Sequence, residues 1–429
     1  MKIHTKAGIV AALILGLATT GGCANQAPST PSASTSGGAI SGELTGVWDV
    51  TYKSALEPTV QAFETTYPGT TVKINYAGGD VPGLISTQLQ ANNAPDVLLT
   101  FPGGSPGGGA NLNVVTMASQ NKLLDVSASS WTSTVPEEWK SEVTHEDKTY
   151  AYPGAIQGLA AIYNKTKLDE LGLKAPQTLT EVYQLCVDAK KAGVYAYAQG
   201  LGDTAAGPQM LSFGQTSTLV YGPDPDFTNK QVEGQATFQD SGWKTQFEIY
   251  QKMYNDGCFG EGSLGRSRTQ GMEAVAAGKA LGIVDVSAIM ATMKTSAPKS
   301  EFILTGIPAN DDASSTYTAA LPIYTIAVNA KAKNPAAATA FLDVLAEPEN
   351  ANSFAKGFNA IPAIPNDQFT PPAELKGFAE LVQKGSFAKL PNWPNPKVQV
   401  ELNEGVQSML LGKDTPDSLA KKMQDALQP

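Results

Sequence analysis

The stretch that decides the fold is residues 44–101, which read LTGVWDVTYKSALEPTVQAFETTYPGTTVKINYAGGDVPGLISTQLQANNAPDVLLTF. Apolar residues recur at helical spacing in two of its segments, and three short apolar runs bounded by polar residues have the character of buried strands. In chain order the five segments are Leu44–Val50, Ser54–Tyr67, Thr71–Tyr76, Pro82–Asn92 and Ala94–Phe101. Their alternation predicts β-α-β-α-β, the pattern of a parallel sheet with helical crossovers.

The loops that follow the three predicted strands are expected to face one crevice. They are Asp49–Lys53, Ala77–Asp80 and Phe101–Gly109. In parallel sheets, ligands bind beyond the carboxyl ends of the strands, where such loops lie. We therefore expect these loops to contribute to the functional site.

The rest of the chain repeats this logic and predicts a second α/β lobe. A strand-like crossing segment covers Tyr150–Tyr163 and precedes further helical and strand-like patterns. The helices are expected near Leu179–Ala192, Gly242–Asn255 and Pro335–Leu345, and the strands near Tyr195–Gly200, Ala280–Val284 and Tyr324–Asn329. The fold class expected from these patterns is α/β with two lobes.

Composition and charge narrow the class of protein further. The chain has 429 residues, of which 42% are hydrophobic and 16% charged, so it is long enough for two domains and is not wholly disordered. It carries 40 acidic and 30 basic side chains, a formal net charge of −10, which argues against binding to a phosphate backbone. We expect no nucleic-acid partner.

The first residues have the layout of a secretory signal peptide. Lys2 and Lys6 precede an apolar run that is too short to span a bilayer, and small residues lead to Cys23. The segment before this cysteine, Thr20-Gly21-Gly22, resembles the lipobox of bacterial lipoproteins. We expect a signal peptide over 1–22, a lipidated Cys23 and a Ser/Thr/Pro-rich tether over 23–41, which would anchor the protein to the outer face of the cell membrane. The alternative is cleavage at another small residue, with Cys23 incidental.

The other two cysteines, Cys186 and Cys258, are predicted to form a disulfide. A secreted protein folds in a compartment that permits such bonds, and Cys23 leaves these two as a pair. The alternative is two buried free thiols, because cysteine packs well inside helices.

The sequence offers little for catalysis or metal binding. Beyond the signal peptide it contains one histidine, His145, and it has no G-x-S-x-G elbow. It also lacks a zinc-type cysteine cluster and a phosphate-binding loop, and Asp224 and Asp226 lack the remainder of a calcium loop. We expect no enzymatic activity, no metal and no cofactor. A glycoside hydrolase that uses two carboxylates stays open as an alternative.

Six segments, in their order and spacing, carry a family resemblance. They are ALEPTVQAFETTYPGTTVKI, NNAPDVLLT, TYAYPGAIQGLAAIYNKTKLDELGL, GKALGIVDVSAIM, KNPAAATAFLDVLAEPENANSFAK and GKDTPDSLAKKMQDAL. The sequence resembles the extracellular solute-binding lipoproteins of bacterial ABC importers, in the sugar-binding group that includes maltose-binding protein. The resemblance runs over residues 44–428, and the placement of Cys186 and Cys258 is similar to that in actinobacterial members.

The resemblance implies a monomeric receptor with a periplasmic-binding-protein-like fold, in which two mostly parallel lobes close by a hinge on a small-molecule sugar and deliver it to the permease subunits of an importer. It places the crossings between lobes near Gly154–Leu159, Thr316–Thr318 and Asn366–Thr370. The first lobe is then 41–155 plus 318–368, and the second is 156–316 plus 369–429. A non-sugar small solute such as phosphate or a polyamine is the alternative ligand.

Sugar recognition needs aromatic rings for the faces of the sugar and planar polar groups for its hydroxyls. On this basis the candidate residues of the first lobe and the crossing are Asp49, Tyr52, Asp80, Phe101, Tyr152 and Gln157. Those of the second lobe are Gln199, Asp203, Gln209, Asp285, Ser287 and Trp393. Among them, we expect Trp393 to line the cleft and report its closure, with Gln157 and Asp285 as polar anchors on opposite sides.

Two further features bear on the ligand. Arg266 and Arg268, the arginines of the sequence, could anchor an acidic sugar or several hydroxyls, or could instead pair with an acid of the protein. Ser287 and Val400 stand where maltose-type relatives often have aromatic residues. The resemblance therefore favours a ligand of one to three sugar units over a long stacked oligosaccharide.

Overall fold

The computed structural model describes residues 40–103, 112–203 and 207–427. The expected signal peptide, the lipidated Cys23 and nearly all of the tether lie outside the described residues. The strands are β1 (Gly42–Asp49), β2 (Thr70–Ala77), β3 (Val97–Thr100), β4 (Thr144–His145), β5 (Lys148–Thr149), β6 (Ala151–Tyr152), β7 (Ala155–Asn164), β8 (Tyr195–Tyr197), β9 (Ala280–Val286), β10 (Phe302–Thr305), β11 (Thr318–Pro322), β12 (Thr325–Val328), β13 (Ile361–Pro362) and β14 (Phe387–Ala388).

The helices cover the faces of the sheets. They are α1 (Lys53–Thr66), α2 (Val81–Gln90), α3 (Val114–Ser119), α4 (Glu137–Val143), α5 (Lys165–Glu170), α6 (Leu179–Lys191), α7 (Gly207–Thr216), α8 (Phe227–Val232), α9 (Gly242–Asn255), α10 (Arg268–Ala276), α11 (Ile289–Ser296), α12 (Pro335–Leu345), α13 (Pro348–Gly357), α14 (Lys376–Gln383), α15 (Lys397–Leu410) and α16 (Pro416–Leu427). None of the helices in the described ranges is long and apolar enough to cross a bilayer.

The first lobe contains a five-stranded sheet in the order β2-β1-β3-β12-β6. Strand β1 pairs in parallel with both β2 and β3, as the β-α-β-α-β pattern predicts. Strands β12 and β6 then extend the sheet in antiparallel pairing. This sheet is therefore mixed rather than mostly parallel, because the chain returns to it from the second lobe.

The second lobe is organised around β7, whose ten residues are all buried. This strand pairs antiparallel with β9, β10, β11 and β13, while β8 runs parallel to β9 and β14 runs parallel to β11. The prediction of two α/β lobes is confirmed, but the expected predominance of parallel pairing is wrong here as well. Strand β7, which enters from the first lobe, runs through the middle of this sheet and is antiparallel to the strands on both sides of it.

The chain changes sheets at three places that the strand pairing locates. The first is Pro153-Gly154, between β6 and β7, and the second is Ile323-Tyr324, between β11 and β12. The second lies beyond the expected position at Thr316–Thr318, because β11 still pairs with β7. The last lies between β12 and β13, ahead of the expected position at Asn366–Thr370, because β13 already pairs with β7. Gly154 has φ +68°, and a Cβ there would lie 2.2 Å from the carbonyl oxygen of Tyr324, so the first two crossings approach closely only with glycine. The exact division into lobes remains our proposal.

The sulfur atoms of Cys186, in α6, and Cys258, just beyond α9, are joined in the structure. Both residues are buried in the core of the second lobe. The bond links positions 72 residues apart in the sequence and so ties α6 to the end of α9.

A form of the protein that begins at Ala24, and so keeps these two cysteines alone, tests this bond. We expect unfolded protein without reductant to take up no alkylating reagent, and reduced protein to take up two equivalents, as measured by intact mass. Reduction should lower the free energy of unfolding by about 2–4 kcal/mol, because the unfolded chain loses a long closed loop. Two alkylated thiols without reductant would contradict the prediction.

Candidate functional site

A cavity of about 850 Å³ lies between the two lobes. The first lobe lines it with residues from the loops after β1 and β3 and from α4, and the second lobe lines it from β7, α10, α11 and the segment after β14. This volume is within the usual range for small-molecule sites. The polar side chains on its wall include Ser54, Ser141, Gln157, Gln209, Arg268, Asn392 and Gln399.

Four aromatic rings form one side of the cavity, and we call them the aromatic wall: Tyr52, Phe101, Tyr324 and Phe358. The ring centroids of Tyr52 and Phe358 are 4.5 Å apart, and those of Phe101 and Tyr324 are 5.5 Å apart. Tyr52 and Phe101 lie just past the carboxyl ends of β1 and β3, where the parallel pattern places ligand-facing loops. Phe358 is 1% exposed and supports the other three rings from the core, and these three offer apolar faces to a ligand.

The two tyrosines of the aromatic wall stay protonated at neutral pH. Burial raises the pKa of Tyr52, and the charge of Asp49 raises it further, while Arg268 acts in the opposite direction. Burial also raises the pKa of Tyr324, with smaller contributions from Tyr52 and Asp49. Their hydroxyl groups are therefore available as hydrogen-bond donors and acceptors beside the apolar faces.

Arg268, at the start of α10, reaches the cavity from the second lobe. Its Nε donates a 2.7 Å hydrogen bond to Oδ2 of Asp285, and its Nη2 donates to Oδ1. Hydrogen bonding to Asp285 raises the pKa of Arg268 and outweighs the effect of burial, and the charges of Asp285 and Asp203 add to it. Asp285 is 1% exposed and also accepts from the backbone N–H of Val286. Asp285, which does not itself line the cavity, therefore fixes the position of the guanidinium.

Amide side chains supply a second polar patch on the same lobe. Oε1 of Gln209 accepts hydrogen bonds from Nε2 of Gln399 at 2.7 Å and from Nδ2 of Asn403 at 3.0 Å, which fixes the orientation of its amide group. Gln157 reaches the cavity from β7, in register with Leu321 of β11. These amides can donate to and accept from hydroxyl groups.

The two lobes also touch directly at one end of the cavity. The ring of Trp139, in α4, stacks on that of Phe387, in β14, with centroids 5.3 Å apart. Next to it, Nζ of Lys389 donates 3.0 Å hydrogen bonds to Oγ of Ser141 and Oε1 of Glu142. We call this set of polar contacts the Lys389 bridge.

Five of the predicted site residues line the cavity: Tyr52, Phe101, Gln157, Gln209 and Arg268. Three more lie close behind this lining. Asp49 and Asp203 act on it through their charges, and Asp285 does so through its bonds to Arg268. Their roles in binding remain predictions.

The structure places four other predicted residues away from the cavity wall, and Asp80, Tyr152 and Gln199 have a local structural role there. Asp80 caps α2 by accepting from the N–H of Gly83, and Tyr152 is fully buried against Trp131. The amide of Gln199 bonds to the backbone of Val284, next to it in the sheet. Ser287 is fully buried after β9. Asp80, Tyr152 and Gln199 thus cap a helix, pack in the core or bond to the backbone, roles that their positions in the sequence do not reveal.

Arg266 and Trp393 likewise have structural surroundings. Arg266 donates to the backbone oxygens of Phe259 and Glu261 and lies over the ring of Tyr195. Trp393 lies in the aromatic core of the second lobe, with ring centroids of Phe213, Phe238 and Trp243 at 6.0, 5.8 and 5.7 Å. Trp393 therefore packs in the core and does not line the cavity as expected.

Several cavity residues escaped the reasoning from sequence, namely Trp139, Glu142, Phe213, Tyr324, Phe358, Lys389 and Gln399. The signal for Lys389 lay near Trp393, a predicted site residue four residues further along the chain. Trp139 and Phe358 belong to a helix and a helix end, where an aromatic residue usually signals core packing. Among the described residues, no group of three or more His, Cys, Asp or Glu side chains is arranged to hold a metal ion.

Solved structures share this architecture. The raffinose complex of the solute-binding protein RafE aligns with a TM-score of 0.72 and 18% identity, covering 90% of this chain and 99% of that one. The apo form of RafE from Streptococcus pneumoniae aligns with a TM-score of 0.75 and 18% identity, covering 94% of this chain and 99% of that one. Both show that the two-lobe fold is that of known solute-binding proteins.

Sequence comparison points the same way. A multiple sugar-binding protein of Streptococcus mutans is 26% identical over 161 residues, which is 37% of this chain and 36% of that protein. The chain therefore matches about a third of the length of this relative. Residues 48–352, well over half of the chain, match the family model described as bacterial extracellular solute-binding protein. The match confirms the resemblance seen in the sequence, and the chain belongs to the family of bacterial extracellular solute-binding proteins.

Proposed function

We propose that this protein is the extracellular receptor of an ABC importer, which captures a carbohydrate of one to three sugar units between its lobes and delivers it to a membrane permease. The observation that carries the proposal is the interlobe cavity, which is lined both by the aromatic wall and by the guanidinium of Arg268 and the amides of Gln157 and Gln209. Apolar ring faces suit the C–H faces of a sugar, and planar polar side chains suit its hydroxyl groups.

The comparisons support a carbohydrate over other solutes. One relative is described as binding multiple sugars, and one neighbouring structure holds raffinose. The proposed limit of one to three units rests on the sequence, in which Ser287 and Val400 stand where maltose-type relatives often have aromatic residues. Closure would use the crossings at Gly154 and Tyr324, and lipidation at Cys23 would keep the receptor on the outer face of the membrane.

The alternative of a glycoside hydrolase receives no support from the cavity. Such an enzyme needs two carboxylates on opposite sides of the scissile bond. Among the described residues that line the cavity, Glu142 supplies the carboxylate, and it is bonded to Lys389. The two internal segments outside the described residues, 104–111 and 204–206, contain no acidic residue.

A panel of mono-, di- and trisaccharides, measured by isothermal calorimetry and thermal shift, tests the proposal. A sugar present at 100 times its Kd should stabilise the protein by about 2.7 kcal/mol. Inorganic phosphate and spermidine serve as the non-sugar probes in the same panel. Binding of phosphate or spermidine but of no sugar, or turnover of glycosides, would contradict it.

The aromatic wall gives a sharper test through Phe101. Replacing Phe101 with alanine should weaken binding of the best sugar by about 1–2 kcal/mol, or roughly 5- to 30-fold in Kd, because a stacking face is lost. Phe101→Leu is the matched control, since it keeps apolar volume but not the ring. If the leucine variant binds as tightly as the original protein, the ring contributes packing rather than stacking.

A further inference from the structure

We infer that the cavity discriminates against acidic sugars, so that the ligand is a carbohydrate without a carboxylate. The inference rests on the proposed function and goes further by naming the charge of the ligand. Among the described residues that line the cavity, three carry a charge: Glu142, Arg268 and Lys389. Each of these charges is already paired within the protein, and Asp49 and Asp203 behind the lining add negative charge, so an anionic ligand meets no uncompensated cation.

Arg268 is the cation that an acidic sugar would seek, and Asp285 occupies that role already. Two of the five N–H donors of its guanidinium bond to Asp285, in the side-by-side geometry that carboxylates favour. Because Asp285 is buried and also bonded to the N–H of Val286, a ligand carboxylate cannot displace it. Asp203 adds a second negative charge to the field around Arg268. The guanidinium of Arg268 therefore offers N–H donors to a ligand, but its positive charge is already balanced by these carboxylates.

The Lys389 bridge neutralises the other cation in the same way. Nζ of Lys389 lies 3.0 Å from Oε1 of Glu142, and Oγ of Ser141 accepts a second bond from it. An acidic ligand that competed for Lys389 would leave Glu142 without its partner and would separate two groups that hold the lobes together.

A neutral sugar meets neither difficulty. The remaining N–H groups of Arg268, the amides of Gln157 and Gln209 and the hydroxyls of Tyr52 and Tyr324 bond to sugar hydroxyls without displacing a protein partner. An acidic ligand must instead give up its hydration without gaining a counter-ion, beside the carboxylates that already pair with Arg268 and Lys389. We therefore expect the uronic acid form of the best sugar to bind at least about 100-fold more weakly than the sugar itself.

The experiment compares three forms of the best neutral sugar by calorimetry: the sugar, its uronic acid and its uronamide. The uronamide has the shape of the uronate without its charge, so it isolates charge from fit. We expect the uronamide to bind at least about 10-fold more tightly than the uronate, and the neutral sugar to change its Kd less than about twofold between 20 and 300 mM NaCl. A uronate that binds more tightly than the neutral sugar, and loses affinity with salt, overturns the inference while leaving a carbohydrate receptor in place.

A variant tests the pairing itself. Replacing Glu142 with glutamine leaves Lys389 without its counter-charge, so the ratio of uronate to uronamide affinity should rise at least about fivefold. The matched control is Glu138→Gln, on the same helix but absent from the cavity lining, which should leave the ratio unchanged. An unchanged ratio in Glu142→Gln overturns the inference. Binding of inorganic phosphate or spermidine in place of every sugar contradicts the proposed function instead.

Discussion

Replacing Arg268 with methionine is expected to lower the free energy of unfolding by about 3–5 kcal/mol, measured by urea denaturation without ligand. The side chain of Arg268 is 30% exposed, but that of its partner Asp285 is 1% exposed. Removing the guanidinium leaves a carboxylate buried without its counter-ion, which costs more than the loss of the ion pair itself. The expected loss is large because the buried charge remains in the protein.

Two further variants separate this cause from a loss of packing. Arg268→Met/Asp285→Asn should recover at least half of the loss, since the buried group no longer carries a charge. Arg266→Met is the matched single variant, because Arg266 bonds to backbone oxygens and strands no carboxylate when it is removed. It should cost about 1–2 kcal/mol. A double variant as unstable as Arg268→Met would show that the charge of Asp285 is not the cause.

Trp393→Ala is expected to cost about 3–5 kcal/mol of unfolding free energy and to lower Tm by several degrees. The ring fills space among Phe213, Phe238 and Trp243, and alanine would leave a cavity in the core of the second lobe. Sugar affinity should fall less than in Phe101→Ala, because Trp393 lies outside the cavity lining.

The same protein with Trp393→Phe should lose only about 1–2 kcal/mol, since most of the buried ring volume is kept. Denaturation and calorimetry on both variants separate a core role from a ligand role. Full stability of Trp393→Ala together with a loss of sugar affinity would return Trp393 to the cleft, as the sequence alone suggests.

The sequence by itself determined the architecture and the edge at which the site lies. Hydrophobic periodicity predicted the order of α1, α2 and the three parallel strands of the first lobe, and these appear within a few residues of their expected bounds. Because loops at the carboxyl ends of parallel strands share one edge, Tyr52 and Phe101 could be named before their contacts were known. Periodicity is a local property, so it can be read without knowledge of the rest of the chain.

Only the tertiary structure decided which side chains face the ligand and which charges are already paired. Asp80 and Gln199 occupy loops or strand ends of the expected kind, yet each bonds to nearby backbone instead. Glu142 and Lys389 are 247 residues apart in the sequence, and no pattern links them until the lobes bring them together. The net charge that a ligand meets in the cavity depends on such pairs. The field of a charge on the cavity wall is largely cancelled when a residue distant in the sequence supplies the opposite charge.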